Sequence, residues 1–271
     1  MDLSHISRTA ILLLICRAVE AEKNKAQFAD PMAVLCLDRL ISIAPEEDKR
    51  WILRKKRMYE GVHERDAKAG VQKGLVFDNA VNRFITEHPQ CTVINLACGF
   101  DTRFWRIKND SCKYIELDLP EVITLKKELL QDNLCYELIS CSVLKTSWID
   151  QVTSGGNSGF LLIAEGLFMW LTKTDVTILL KDIDDRFVQS QLILDIIPER
   201  YTRGFWRSLF RLHSRIEWGL DVEWLYGIKD PHDLEAFGNS LQVISIKKGS
   251  VGPIITLSIN ADNRSLPTNP I

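Results

Sequence analysis

From residue 91 onward the chain alternates short apolar or β-branched runs with helix-length stretches, and that alternation admits few folds. The runs are Thr92–Leu96, Lys113–Leu117, Cys135–Ser140, Phe160–Ala164 and Gln191–Ile196. Helical patterns start between them near Thr102, Pro120, Val143 and Thr172. The last start, Thr172-Lys173-Thr174-Asp175, has the form of a capping box with Asp in place of Glu or Gln. Strands separated by helices of this length imply right-handed βαβ units and a doubly wound parallel sheet, an α/β fold. Two more strand-like runs, Leu241–Ile246 and Ile254–Ile259, flank the turn-rich Lys247–Gly252. They predict a hairpin that sets a C-terminal antiparallel strand on the sheet.

The first 88 residues have a different texture and read as helices. Asp30-Pro31 predicts an N-cap with proline at the first helical position, opening a helix over Met32–Ile41. Pro45-Glu46-Glu47-Asp48 opens another, with acids on the positive end of its dipole, and runs into Arg54-Lys55-Lys56-Arg57, which reads as a solvated face. The predicted organisation is a helical lid or cap over 1–88 and a sheet domain over 89–262. That domain carries a helical insertion at about 198–238, and a loose tail follows at 263–271.

Charge and composition remove several functions. With 34 Lys+Arg against 36 Asp+Glu the formal net charge is −2, without the basic excess of a nucleic-acid binder. The apolar run Ala10–Cys16 is too short to span a bilayer and has no basic flank of a signal peptide, so no membrane association is predicted. Seven cysteines without a C-x-x-C pair argue against a zinc site or a disulfide framework and for a reducing cytoplasm. No metal ligand set is nominated.

The chemistry is expected at Thr92-Val93-Ile94-Asn95-Leu96-Ala97-Cys98-Gly99-Phe100-Asp101-Thr102-Arg103, which reads as a buried strand, a small-residue turn and a helix start. Ligands of doubly wound sheets bind beside such a strand end, and Gly99 lets the backbone come close to one. Asp118 follows nineteen positions later, at the end of the next strand, where a carboxylate can accept both hydroxyls of a ribose. A dinucleotide needs three glycines around its pyrophosphate; here one glycine stands with Phe100 and Arg103. Asp101 suits a ligand with an ammonium or sulfonium charge better than a phosphate. S-adenosylmethionine meets these demands; a nicotinamide dinucleotide is the weakest option, because the pyrophosphate glycines are absent.

Asn95–Arg103 resembles the cofactor loop of the leucine carboxyl methyltransferase family, which includes O-methyltransferases of polyketide biosynthesis. Glu116-Leu117-Asp118-Leu119-Pro120-Glu121-Val122 resembles that family's ribose-binding strand end, and Ser142-Val143-Leu144 with Trp148 its adenine-side segment. Ala164-Glu165-Gly166-Leu167-Phe168-Met169-Trp170-Leu171 resembles the end of its fourth strand. Ser7-Arg8-Thr9-Ala10 and Phe28-Ala29-Asp30-Pro31-Met32-Ala33 are similar to the polyketide-type branch. The resemblance covers nearly the whole chain and implies a Rossmann-like class I methyltransferase sheet. Two departures stand out. Ala97 replaces a glycine, and Lys73, five residues before Asp78, replaces the arginine that grips the cofactor carboxylate. Lysine neutralises that carboxylate without the bidentate fork.

By this resemblance Asp118, with Leu119 beside it, binds the ribose, and Ala97, Gly99 and Asp101 frame the methionine end of S-adenosylmethionine. Lys73 pairs its carboxylate, Ser142 and Val143 meet the adenine, and Glu165 lies near the ammonium or the methyl group. The opposing readings make Glu165 a cap of the following turn and Glu116 a solvated strand residue; the second is preferred for Glu116. No catalytic base is nominated, since His63 and His213 read more simply as structural. Arg200, Arg203, Arg207, Arg211 and Arg215 share one helical face. They form either a basic lid that attracts an anionic substrate, with Arg207 and Arg211 foremost, or a solvated face paired to Asp182, Asp184 and Asp185. The implied activity is methyl transfer from S-adenosylmethionine, leaving S-adenosylhomocysteine, to a carboxylate or hydroxyl of a small molecule such as a polyketide-like or other organic acid. Methylation of a protein's terminal carboxylate and a non-catalytic cofactor-binding module are the alternatives.

Overall fold

The computed structural model describes residues 8–23, 28–107, 112–154, 159–218 and 221–260, in two compact units. Ser7 and the tail predicted at 263–271 lie outside them. In chain order the helices are α1 (Arg8–Ala21), α2 (Pro31–Ile43), α3 (Glu46–Glu60), α4 (Glu64–Glu87), α5 (Pro120–Leu130), α6 (Ser147–Thr153), α7 (Lys173–Arg186) and α8 (Gly204–His213). The strands are β1 (Thr92–Leu96), β2 (Lys113–Asp118), β3 (Glu137–Ser140), β4 (Phe160–Ala164), β5 (Ser190–Asp195), β6 (Leu241–Lys248) and β7 (Pro253–Ile259).

The first unit comprises Met1–Glu87, Ala97–Asp110 and Tyr114–Ser142. Its centre is α1, whose Ile11, Leu12, Leu14, Ile15, Ala18 and Val19 are buried where it packs on α2, α3 and α4. The run that is too short for a membrane is thus the core of a helical cluster, and no helix among the described residues is long and apolar enough to cross one. Asp30 caps α2 by accepting the Ala33 N–H at 2.9 Å, with Pro31 in the first turn. In α3 the buried residues are Trp51, Ile52, Lys55 and Tyr59, one stripe at helical spacing. Lys55 therefore faces inward, a correction to the reading of Arg54–Arg57 as one solvated patch. β2 and β3 pair in parallel, from Ile115 opposite Glu137 to Asp118 opposite Ser140.

The second unit comprises His88–Leu96, Ser111–Lys113 and Val143–Ile271. Here β1, β4 and β5 run parallel, β7 joins β5 antiparallel, and β6 pairs with β7. β1 and β4 are buried along their whole length, as strands of a sheet covered on both faces must be. β6 carries a bulge between Val243 and Ser245, and its Gln242, Ile244 and Ile246 are exposed. Thr172 and Asp175 form both halves of the capping box of α7.

Two helix starts differ from expectation. After Thr102 the chain makes only a 3-10 turn, Arg103–Trp105. Phe104 and Trp105 leave the helical path to pack on Tyr136, and Phe104 also meets Tyr114. The helix expected near Val143 begins at Ser147, because the Trp148 indole N–H donates to the Val143 carbonyl at 3.1 Å and holds the segment as a turn.

Candidate functional site

The chain leaves β1 through two left-handed residues, Ala97 at φ 50° and Gly99 at φ 49°. This tight reversal turns the Gly99 N–H to Asp118, whose Oδ2 accepts it at 2.7 Å while Oδ1 accepts the Leu119 N–H at 2.7 Å. The Cys98 N–H donates to the Leu117 carbonyl at 3.2 Å, a second tie between loop and strand end. Each Asp118 oxygen thus holds one backbone donor and keeps lone-pair capacity for another. Burial pushes the Asp118 carboxyl up from its usual value, against the lowering effect of these two N–H groups.

Gly99 is required twice over. Its φ disfavours a side chain, and a Cβ there would lie 3.0 Å from the Cβ of Ala10. Ala97 carries the same backbone strain with a Cβ in place. Ala97→Gly is expected to stabilise the fold by about 0.5–1 kcal/mol, the relief of the left-handed strain less the entropy glycine adds to the unfolded chain. A urea midpoint that rises at unchanged slope checks it, and a lower midpoint refutes it.

Asp101 is not an open anion. Its carboxylate pairs with Arg17, Arg103 and Arg106. Asp78 on α4 accepts from Arg103 Nε at 2.6 Å and Arg106 Nε at 2.8 Å. Asp30 accepts from Arg106 Nη1 at 2.7 Å and from the Thr102 hydroxyl at 2.6 Å. Three carboxylates and three guanidiniums therefore balance in a buried network that ties α1, the cap of α2 and α4 to the loop after β1. Burial alone would raise Asp101, but Arg103, Arg17 and Arg106 outweigh it and hold the carboxyl well below the usual range. Sequence reasoning gave Asp101 a ligand-facing role, overlooked Arg17 and Arg106, and missed that Asp30 and Arg103 join them in one network; the one local signal was D-T-R-x-x-R itself.

Glu116 also departs from expectation. It is fully buried, paired with Lys126 Nζ at 2.5 Å, and accepts the Tyr136 hydroxyl at 2.9 Å. Lys126 donates further to the Asp101 carbonyl at 2.8 Å, bracing the loop from below. Burial raises the Glu116 carboxyl despite Lys126. Burial alone would lower Lys126, but Cys98, Glu116 and Asp101 hold it above its usual value.

The first unit also holds Lys73, half-buried on α4, and Ser142, half-buried after β3. Val143, Glu165, Arg207 and Arg211 belong to the second unit. There Glu165 follows β4 directly and is half-buried. The turn after it is tied by Asp195, whose Oδ1 accepts the Gly166 N–H at 2.5 Å. The arginine row spans α8 and its flanks, but its partners are not the expected ones. Arg207 pairs with Glu223, Arg211 grips Asp221 with two N–H groups at 2.5 and 2.8 Å, and Arg215 reaches Asp221 at 2.6 Å. Asp184 instead accepts the backbone N–H groups of Asn239 and Ser240 at 2.9 and 3.0 Å. Arg207 and Arg211 are exposed and already neutralised, which removes most of the field a basic lid would exert. His63 meets Asp66 at 3.0 Å, and His213 ends α8 on the exposed side.

A family model described as "Leucine carboxyl methyltransferase" matches residues 10–184, well over half of the chain. Among curated proteins, the tetracenomycin polyketide synthesis O-methyltransferase TcmP of Streptomyces glaucescens is 29% identical over 161 residues, 59% of this chain and 56% of its own. The S-adenosyl-L-methionine-dependent methyltransferase dpfgK of Gibberella zeae is 27% identical over 125 residues, 44% of this chain and 42% of its own. The match thus spans about half the length of these relatives. A solved O-methyltransferase family protein from Burkholderia thailandensis superposes with a TM-score of 0.50 over 88% of this chain and 74% of that one, at 12% identity. That last likeness shows the shared fold, a Rossmann-like α/β sheet.

Proposed function

We propose that this chain, which belongs to the leucine carboxyl methyltransferase family, transfers the methyl group of S-adenosylmethionine to an oxygen of a small organic acceptor. The observation that carries this reading is the Asp118 carboxylate: buried, pinned by the Gly99 and Leu119 N–H groups, and left with one acceptor position on each oxygen. That is the chemistry of a ribose diol clamp. The loop above it supplies close backbone approach at Gly99 but no glycine-lined cradle for phosphates, since Phe100 and Arg103 are buried side chains. An adenosyl group without phosphate fits these residues, and a dinucleotide does not.

When bound, S-adenosylmethionine supplies an activated methyl carbon on sulfonium, ready for in-line displacement by an oxygen nucleophile. The protein's part is to hold and orient the reactants and to keep water out. Asp118, with Leu119 beside it, fixes the ribose, and Ser142 and Val143 flank the adenine. Ala97 and Gly99 bring the backbone to the methionine end, where Lys73 neutralises the carboxylate and Glu165 faces the positive charge. Asp101 acts through the loop it pins. An ionised carboxylate acceptor needs no base. We read residues 1–88 and the insertion at about 198–238 as the acceptor side, and the free thiols as fitting a reducing cytoplasm.

Calorimetry with S-adenosylhomocysteine and NAD on the wild type and Asp118→Ala tests this. The wild type is expected to bind the sulfur nucleoside and not NAD. Asp118→Ala is expected to lose on the order of 100-fold in affinity, as two hydrogen bonds to a charged acceptor imply. The diol donates to the ionised carboxylate, so affinity is full at neutral pH and falls on acidification through a pKa above the ordinary 3.8. NAD binding with no response to S-adenosylhomocysteine would reject the assignment.

A further inference from the structure

Buried donors in folded proteins are nearly all paired. The indole Nε1–H of Trp224, in a residue only 7% exposed, has no hydrogen-bond partner among the described residues. Its surroundings are largely aromatic and follow the carboxyl ends of two strands. Met169 and Trp170 come after β4, Ile197 and Tyr201 after β5, and Phe210 from α8. Phe210 stacks on the indole with ring centroids 3.6 Å apart, and Tyr201 meets it edge-on at 6.0 Å.

The two sides of this cluster are held unequally. Next to Trp224, the Leu225 N–H donates to the Met169 carbonyl at 2.8 Å, which fastens the indole's segment to the end of β4. In α8, by contrast, Phe210 is the one buried residue, while Phe205, Trp206, Leu209 and Leu212 are exposed. The helix's other ties to the Trp224 segment are the exposed ion pairs Arg207–Glu223 and Arg211–Asp221, so once these part it can swing aside at small cost in buried area. Ligands of open α/β sheets enter outside the carboxyl ends of the strands, which is where this cluster lies.

We propose that the cluster is the acceptor subsite. An aromatic, oxygen-bearing acceptor enters as α8 moves, packs among Trp170, Tyr201 and Phe210, and presents an oxygen to the Trp224 Nε1–H. The walls favour a flat ring by offset and edge contacts. The indole is a donor only, so it selects a ligand with a carboxylate, phenol or carbonyl oxygen at that point over the bare hydrocarbon. This rests on the proposed function and names the substrate class for it.

The test is binding of 2-naphthoate and of naphthalene, with S-adenosylhomocysteine present, to the wild type and Trp224→Phe. Naphthoate is expected to bind the wild type about tenfold more tightly than the variant, and naphthalene equally to both, since the ring survives and only the donor is lost. Equal naphthoate affinity in the two proteins would overturn the proposal, as would failure of either ring to bind while S-adenosylhomocysteine does. Failure of S-adenosylhomocysteine itself to bind would overturn the reading underneath, and this one with it. Should Trp224→Phe not fold, the indole N–H spectrum of the wild type carries the test. Naphthoate, and not naphthalene, should move one of the seven tryptophan signals downfield; no such movement would refute the subsite.

Discussion

Arg103→Met is expected to lower the free energy of unfolding by about 3–5 kcal/mol, the cost of removing one partner from a buried ion network. Arg103 is fully buried, bridges Asp78 and Asp101, and lies over the Phe77 ring at 5.5 Å. Methionine fills much of the volume but leaves three buried carboxylates, Asp30, Asp78 and Asp101, sharing Arg17 and Arg106. The same change at Arg207, whose pair with Glu223 is exposed and screened by solvent, should leave the urea midpoint essentially unmoved. Acid should narrow the Arg103 deficit. Asp101 has a folded pKa well below its ordinary 3.8, so its contribution in the wild type is complete above that value and is lost as pH falls through the lower one. Protonation also relieves the variant's uncompensated charge. Urea midpoints at pH 7 and pH 3 check both statements, and a deficit under 1 kcal/mol at pH 7 would contradict the first.

Lys126→Met should cost a similar amount, about 3–5 kcal/mol, while the double variant Glu116→Gln with Lys126→Met should recover most of it. The single change strands a fully buried Glu116, whose carboxyl burial already raises. A buried acid with a raised pKa favours its neutral form, so the single variant should be least deficient in acid and lose stability as pH rises through 4.5 and beyond. The double variant removes both charges and leaves the Tyr136 hydroxyl an acceptor. Because Lys126 also holds the Asp101 carbonyl, both variants should bind S-adenosylhomocysteine more weakly than the wild type. Thermal or urea unfolding of the set, with calorimetry, separates the fold from the loop. A double variant as unstable as the single one would show that the pair's worth lies elsewhere.

The parts legible in the sequence were those set by local pattern. β1 and β4 fall on the predicted residues, and the Asp30 and Thr172 caps form as their side chains dictate. The Gly99–Asp118 spacing proved to be a direct hydrogen bond. What pattern hid were long-range pairings. Nothing near Asp101 announces that Arg17, 84 residues earlier, will meet it. Glu116 looked solvated because an alternating strand places charges outward, yet β2 from Tyr114 onward is buried on both faces. Its partner left a trace, since Lys126 sits on α5 between the buried Ile123 and Leu129 at helical spacing. The missing helix after Thr102 shows the same limit, because aromatic packing from β2 and the segment before β3 overrode the local preference.

The bulge in β6 has a consequence for how the molecule behaves in a crowd. Among the described residues β7 is the one strand that β6 pairs with; on its other side the Val243 N–H donates to the Glu235 carboxylate at 2.7 Å, and the rest of that edge faces any strand that drifts past. Ile244 and Ile246, both about half exposed, would make that side adhesive if the strand were flat. The register shift beside Ile244 breaks the row of donors and acceptors, and Lys247 and Lys248 set like charges against a second copy. The rim of the sheet is thereby kept from seeding fibrous stacking.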